Sequence, residues 1–235
     1  MADLPLERLE FSAPFSVCGT DCFGPFVVKE GRKSIKRYGN LFTCMFSRAV
    51  HVELLDDMTT DAFINSFRNL IALRGPVRQL RSDCGSNFVG AKHEFKKALQ
   101  DMDFSNIQFK LADFDCEFIF NTPSSSHMGG VWERQIRSIR SVLTVMLDQH
   151  SDRLDTSCLR TFLYEAAAIV NSRPLTVQNL NDPLSPEPLT PNHLLTMKSK
   201  IVLPPPGNFC PADIYSRKRW IRAVSYTHLT LPTKA

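Results

Sequence analysis

Residues 15–55, FSVCGTDCFGPFVVKEGRKSIKRYGNLFTCMFSRAVHVELL, decide the fold. Apolar and β-branched residues dominate this stretch, and Gly24-Pro25, Lys29 to Lys33 and Gly39-Asn40 supply turn chemistry, which reads as three consecutive antiparallel strands. The period then changes. Thr59-Thr60 offer an N-cap, Phe63, Ile64, Phe67, Leu70 and Ile71 recur at helical spacing, and Gly75-Pro76 stops the run. Val77 to Ser82 is a short strand ending at Asp83; the Gly-containing turn CGSNFVG follows, then a helix from Ala91 to Gln100 and a strand from Phe114 to Asn121. A loop, TPSSSHMGG, leads into a helix over Val131 to Leu147, and a second helix covers Cys158 to Ser172 before Pro174 breaks it. Strands and helices in this order specify a mixed α/β domain, a central sheet with helices on both faces.

Composition sets the outer bounds. At 235 residues, with 43% hydrophobic residues, 22% charged residues and 17 Phe, the chain can bury a core, so a wholly disordered protein is excluded. No apolar run approaches the roughly 18–20 residues of a membrane span, and the start MADLPLERLEF lacks the basic and apolar regions of a secretory signal. The seven Cys are odd in number and sit in apolar contexts such as Phe42-Thr43-Cys44-Met45-Phe46, the pattern of reduced, intracellular, core-filling thiols. Eight of the 15 Pro fall between Pro183 and Pro211, which predicts an extended connector there. There is no internal repeat. Net charge is only +4, but the cations cluster at Lys29 to Arg37, at Arg134, Arg137 and Arg140, and at Arg217 to Arg222. Such runs are ordinarily solvated faces, or else a nucleic-acid footprint.

Three acids stand where α/β sheets place their active sites: Asp21 in the first strand, Asp83 at the end of the fourth, and Glu133 in the first turn of a helix. Each also has a structural reading. Asp83 can cap its own turn, Glu133 can favour a helix N-terminus, and Asp21 can pair with a nearby Lys. Taken together, three carboxylates without a matching His or Cys cluster suit a hard, oxygen-preferring cation such as Mg²⁺. Two such ions about 3.5–4 Å apart stabilise the attacking and leaving oxygens of a phosphoryl displacement, so the implied substrate is a phosphodiester.

The helix after Gly129-Gly130 adds to this. Ile136, Ile139, Leu143, Met146 and Leu147 form its core stripe, whereas Glu133, Arg137, Arg140 and Thr144 gather on another side. A carboxylate sharing a face with two Arg is either an i,i+4 ion pair worth about 0.2–0.5 kcal/mol or a metal ligand flanked by phosphate contacts. Trp132 suits a contact to a DNA end, or packing at a helix start. His127 is open among proton shuttle, phosphate contact and loop hydrogen bond.

The stretches GTDCFGPF, LFTCMFSRAVHVELL, SDCGSNFVGAKHEF, HMGGVWERQIRSIR, NSRPL and LTPNHLL together resemble the integrase core of retroelements, most closely the BEL/Pao type of LTR retrotransposon, in consistent order from Phe15 to Leu195. The resemblance implies a ribonuclease H-like α/β fold with a mixed five-stranded sheet, in which Asp21, Asp83 and Glu133 match a two-aspartate, one-glutamate metal-binding triad. It implies two Mg²⁺ or Mn²⁺ ions, DNA as partner, a homo-oligomer, and action in the nucleus at the time of integration. The reactions would be water attack near a DNA 3′ end and then attack of the new 3′-hydroxyl on target DNA. Arg134, Arg137, Arg140, His127 and Lys33 are the expected DNA contacts. Asp83 and Glu133 lie 50 positions apart, wider than in retroviral integrases, with Asp101 to Asp115 as the expected extra segment. The sequence departs from the pattern at Cys84, where the family usually has Asn, and no His/Cys zinc module precedes Phe11.

The expected organisation is an N-terminal extension over 1–11, a catalytic core over 12–176, a Pro-rich connector over 177–212, and the truncated start of a C-terminal module over 213–224. Residues 225–235 resemble translated cloning or sequencing adaptor and are excluded from fold reasoning. Three functions compete. An intact triad favours a Mg²⁺-dependent polynucleotidyl transferase, part of a retrotransposon polyprotein. Cys84 and the short ends favour a decayed or domesticated module that binds DNA or assembles without catalysis. An RNA–DNA hybrid nuclease of the same fold is disfavoured by NSRPL and LTPNHLL.

Overall fold

The computed structural model describes residues 12–83, 102–121, 126–148, 154–176 and 188–198. The chain runs β1 (Val17–Glu30), β2 (Lys33–Cys44), β3 (Val50–Leu55), α1 (Thr60–Arg74), β4 (Gln79–Asp83), α2 (Phe104–Ala112), β5 (Glu117–Asn121), α3 (Ser126–Asp148), α4 (Thr156–Val170) and α5 (Pro191–Thr196). The five strands form one sheet in the order β3-β2-β1-β4-β5. β1, β2 and β3 pair antiparallel, while β4 runs parallel to both β1 and β5.

Local chemistry explains most boundaries. Glu30 pairs with Lys33, leaving Gly31-Arg32 as a two-residue hairpin loop whose first position needs a positive φ; Gly31 supplies it at 61°. Thr59 Oγ1 accepts from the Ala62 amide at 3.2 Å to start α1, and Gly75, at φ 90°, ends it by donating its N–H to Ile71 O. Asp103 and Asp155 cap α2 and α4 in the same way, accepting from the Asn106 and Cys158 amides at 3.0 and 2.8 Å.

The sheet separates two cores. On one side α1 and α2 cover it, and Phe42, Phe63, Phe67, Leu70, Leu80, Ile107 and Leu111 are buried together. On the other, α3 and α4 pack Ile139, Leu143, Phe162 and Leu163 against Phe23, Leu41 and Val52. Residues alternate along a strand, so Cys18 and Cys22 join the first core and Phe23 the second. Each fully buried Phe or Leu contributes about 1.5–3 kcal/mol. Together these burials hold helices to both faces.

Several expectations change. Gly39-Asn40 is not a turn but the middle of β2, opposite Phe23 and Cys22. The ring of Phe23 lies over Gly39, where a Cβ would meet Phe23 Cζ at 2.5 Å, so the glycine answers a close approach across strands. Gly24-Pro25 is not a chain reversal either; the ladder shifts register between Phe23 and Phe26 and β1 continues. Strands β4 and β5 begin at Gln79 and Glu117, later than Val77 and Phe114. α3 begins at Ser126, so Gly129-Gly130 lie inside the helix where a loop is expected, an extension that the amphipathic run after them sustains despite about 1 kcal/mol per Gly.

The segment from Asp101 to Asp115 contains α2, which packs on α1 through Ile107 and Leu111 and through a Lys110–Asp61 ion pair at 2.6 Å. Within the expected connector, 191–196 is the helix α5 instead of extended chain. Thr190 and His193 form a capping box, Pro191 opens the helix, and Leu195 packs on the α1 side core. The expected helix over Ala91 to Gln100, Cys84 and the terminal segments lie outside the described residues.

Candidate active site

β1 and β4 are parallel neighbours, with Val17, Cys18, Gly19 and Thr20 paired to Gln79, Leu80, Arg81 and Ser82. Asp21 and Asp83 are each the next residue along, so the register carries two aspartate positions off the paired segment side by side. Asp83 is also the last residue of β4, opposite Asn121 of β5. This is the C-terminal edge of the parallel strands, where a ligand meets loops instead of sheet.

The residues flanking Asp21 are fixed by a buried polar chain. Thr20 Oγ1 donates to Asn40 Oδ1 at 2.9 Å, Cys22 Sγ reaches the same oxygen at 3.6 Å, and Asn40 Nδ2 donates to Ser66 Oγ on α1 at 2.9 Å. Ser66 Oγ in turn donates to Phe63 O at 2.7 Å. Thr20, Asn40 and Ser66 are all buried, so these bonds lock the backbone on both sides of the aspartate. Burial pushes the Cys22 thiol far up, and the neighbouring Asp21 carboxylate adds to the shift. Asp21 itself is half-buried on the opposite strand face, the face that α3 and α4 cover.

α3 brings the third acid. Trp132 is fully buried and Glu133, the next residue, is exposed. Gly19 admits the Trp132 ring: a Cβ there would sit 2.1 Å from Cε3. The start of α3 is therefore laid on β1 two residues before Asp21. This burial decides for packing over a DNA-end contact at Trp132.

Arg134, Arg137 and Arg140 are exposed on the same helix. Among the described residues none of them forms an ion pair with Glu133, so the carboxylate is not spent on the i,i+4 pair that its spacing allows. Lys33 is exposed beside the β1–β2 turn, on a different element from the three acids. His127 lies in the first turn of α3; its side chain and that of Asp83 fall outside the described residues. Among the described residues no group of three or more His, Cys, Asp or Glu is placed to hold a metal ion.

The donor set is still chemically suited to one. Asp21 and Glu133 are oxygen donors on two elements joined at Gly19, Asp83 follows on the neighbouring strand, and no soft ligand is needed for Mg²⁺ or Mn²⁺. From the sequence alone Asn40 reads as part of a turn, and Gly19 and Thr20 carry no role. The only local signal was a glycine two residues before a candidate acid in a strand, a mark of close approach by another group.

An α/β sheet of this order, flanked by helices and carrying acids on β1, at the end of β4 and on α3, is ribonuclease H-like. The chain is similar to a chain of the simian T-cell lymphotropic virus intasome solved by cryo-electron microscopy in complex with PP2A regulatory subunit B56 gamma, with a TM-score of 0.51 and 18% identity over 85% of this chain. It spans 59% of the length of that chain, and at this identity the likeness is one of fold. The HTLV-2 integrase catalytic core domain in complex with magnesium also aligns, at 18% identity over 72% of this chain and 92% of that chain in its trimeric form (TM-score 0.47), and over 71% and 92% in its dimeric form (0.44). No protein-family model and no curated protein matches the sequence. No described helix is long and apolar enough to cross a membrane.

Proposed function

We propose that the chain is an integrase-type polynucleotidyl transferase core of a BEL/Pao-like retroelement polyprotein, which trims DNA 3′ ends and joins them to target DNA. The observation that supports this reading is the β1–β4 register, whose paired segment ends one residue before Asp21 and Asp83, together with the packing of Trp132, the neighbour of Glu133, on β1 at Gly19. Asp21, Asp83 and Glu133 would hold two Mg²⁺ or Mn²⁺ ions. Bound there, the ions would stabilise charge on the phosphoryl oxygens and make water or a 3′-hydroxyl a better nucleophile.

The chain's own part is positioning. The Thr20–Asn40–Ser66 bonds hold Asp21 still, and rigid support of this kind keeps a carboxylate within the small tolerance that phosphoryl transfer demands. Arg137 and Arg140, exposed on the Glu133 helix, would neutralise DNA phosphates near the site, with Arg134, His127 and Lys33 as further contacts. DNA ends, target DNA and further copies of this chain are the partners of this reading, and the nucleus is where it would act. The intasome and the dimeric and trimeric forms of the similar viral proteins accord with it.

Strand transfer tests the reading, with a short duplex ending in the parent element's terminal sequence and Mg²⁺ or Mn²⁺. Wild type should give product that Glu133→Gln abolishes, and replacing Arg137 and Arg140 should weaken DNA binding and flatten its salt dependence. Equal product from wild type and Glu133→Gln would sink the assignment. DNA binding without product from either protein would favour the non-catalytic alternative.

A further inference from the structure

Trp132 belongs to neither large core. Its buried hydrophobic companions are Val17 and Met45, in a small cluster of their own at the start of β1. The six-membered ring lies so close to the β1 backbone at Gly19 that a methyl group there would fall 2.1 Å from Cε3, 2.8 Å from Cζ3 and 2.9 Å from Cδ2. These are atoms of a rigid, completely buried ring, not the far end of a flexible chain, so no small torsion relieves the overlap. Any side chain at position 19 must push the ring, and the helical turn that bears it, off the strand.

The consequence falls on two particular neighbours. Glu133 follows Trp132 directly, and Asp21 follows Gly19 by two residues on the same strand face. One contact thus links the element that carries the first acid to the element that carries the third. The two large cores, which do not include Trp132, hold α1 and α2 on one face and α3 and α4 on the other. They fix the fold, whereas the seat at Gly19 fixes how the first turns of α3 stand over β1.

Resting on the metal-site reading above, we propose that Gly19 and Trp132 are a positioning pair: the indole seated on bare β1 backbone sets the place of Glu133 relative to Asp21, and so the affinity of the divalent-cation site. Neither residue touches the ion or the substrate. Gly19 acts by having no side chain, and Trp132 by filling the space left.

Mn²⁺ is the probe, its binding to the full chain followed by the loss of the free-ion signal in electron paramagnetic resonance, with thermal melting measured on the same samples. Supporting shells of metal sites typically govern about 10- to 100-fold of affinity, and a weakening of that size is expected in Gly19→Ala. Trp132→Phe, which keeps an aromatic ring on the strand, should stay near wild type. The double variant Gly19→Ala/Trp132→Leu, in which the shorter side chain makes room for the new methyl, should bind Mn²⁺ better than Gly19→Ala alone. Phe162→Leu in the α4 core is the control for lost stability; it should lower the melting temperature without weakening Mn²⁺ binding. Should Gly19→Ala not fold, Trp132→Leu carries the test, with the same weakening expected. Binding that Glu133→Gln weakens but Gly19→Ala and Trp132→Leu leave unchanged overturns the positioning role alone. Absence of binding in wild type, or binding that Glu133→Gln leaves unchanged, overturns the metal-site reading and the positioning role with it.

Discussion

Replacing Asn40 by Ala tests the buried chain that holds Asp21. Asn40 is fully buried; its Oδ1 accepts from Thr20 Oγ1 at 2.9 Å and its Nδ2 donates to Ser66 Oγ at 2.9 Å. The substitution strands the Thr20 hydroxyl, only 1% exposed, without its acceptor, while Ser66 keeps its own bond to Phe63 O. An orphaned buried hydroxyl costs about 1–3 kcal/mol and the lost amide bond about 1 kcal/mol more, so roughly 2–4 kcal/mol of stability should go. For a chain of this size each kcal/mol moves the melting temperature by roughly 2–4 °C, so a drop on the order of 10 °C is expected by calorimetry or circular dichroism. The double variant Thr20→Val/Asn40→Leu removes donor and acceptor together and should recover more than half of the loss, because replacing both partners with apolar groups is nearly neutral. A drop below about 2 °C for Asn40→Ala, or a double variant as unstable as the two single changes added, would show that the bonds do not carry the energy assigned to them.

Asn171 offers a second test, since its side chain bonds both the N–H and the C=O of Val50 at 2.8 Å and so holds one end of the outermost strand; Asn171→Ala should cost about 2–3 kcal/mol in urea unfolding, with Asn171→Asp, which keeps the acceptor only, falling between. The buried thiols predict an alkaline limit. Burial pushes Cys116 up to about 12 and Cys18 and Cys22 well above the ordinary range, so between about pH 8.5 and those values the unfolded chain has lost protons that the folded chain retains. Stability from these thiols is complete below about pH 8.5 and lost as pH rises through that window, so in reducing buffer the melting temperature should fall from pH 8 to 10.5, less steeply in Cys116→Ala; parallel slopes would contradict it.

What the sequence made legible was whatever its own neighbours determine. The hairpin at Gly31, the cap at Thr59 and the stop at Gly75 are decided within a few residues, and the strand and helix order follows from them. Gly39-Asn40 was misread because its causes are distant: the glycine answers the Phe23 ring and the asparagine answers Ser66, 26 positions on. The same holds for Gly19, whose reason is a ring on α3. At α5 the fault was one of weighting. Proline density spoke for extended chain, yet Thr190, Pro191 and His193 already spelled a helix start, and Asn192 then bonds the Ser172 hydroxyl at 2.7 Å to dock it.

The acids pose the sharper problem, because burial alone would choose a different one from the proposed triad. Glu53 on β3 is 4% exposed and sits beside His51, which has the look of a catalytic pair. Both its oxygens are already engaged, Oε1 with His51 Nε2 at 2.8 Å and Oε2 with Asn69 Nδ2 at 3.2 Å, and His51 is packed edge-on against Phe15. A carboxylate whose two oxygens meet protein partners in a closed space has little capacity left for a cation, and its burial is matched by bonds that specify how α1 seats on β3. Glu133 is the reverse case: exposed, unpaired with the arginines of its own helix among the described residues, and next in sequence to the ring that packs on β1 at Gly19. Spare coordinating capacity, more than burial, is therefore the property that makes Glu133 the better candidate ligand and Glu53 the structural carboxylate.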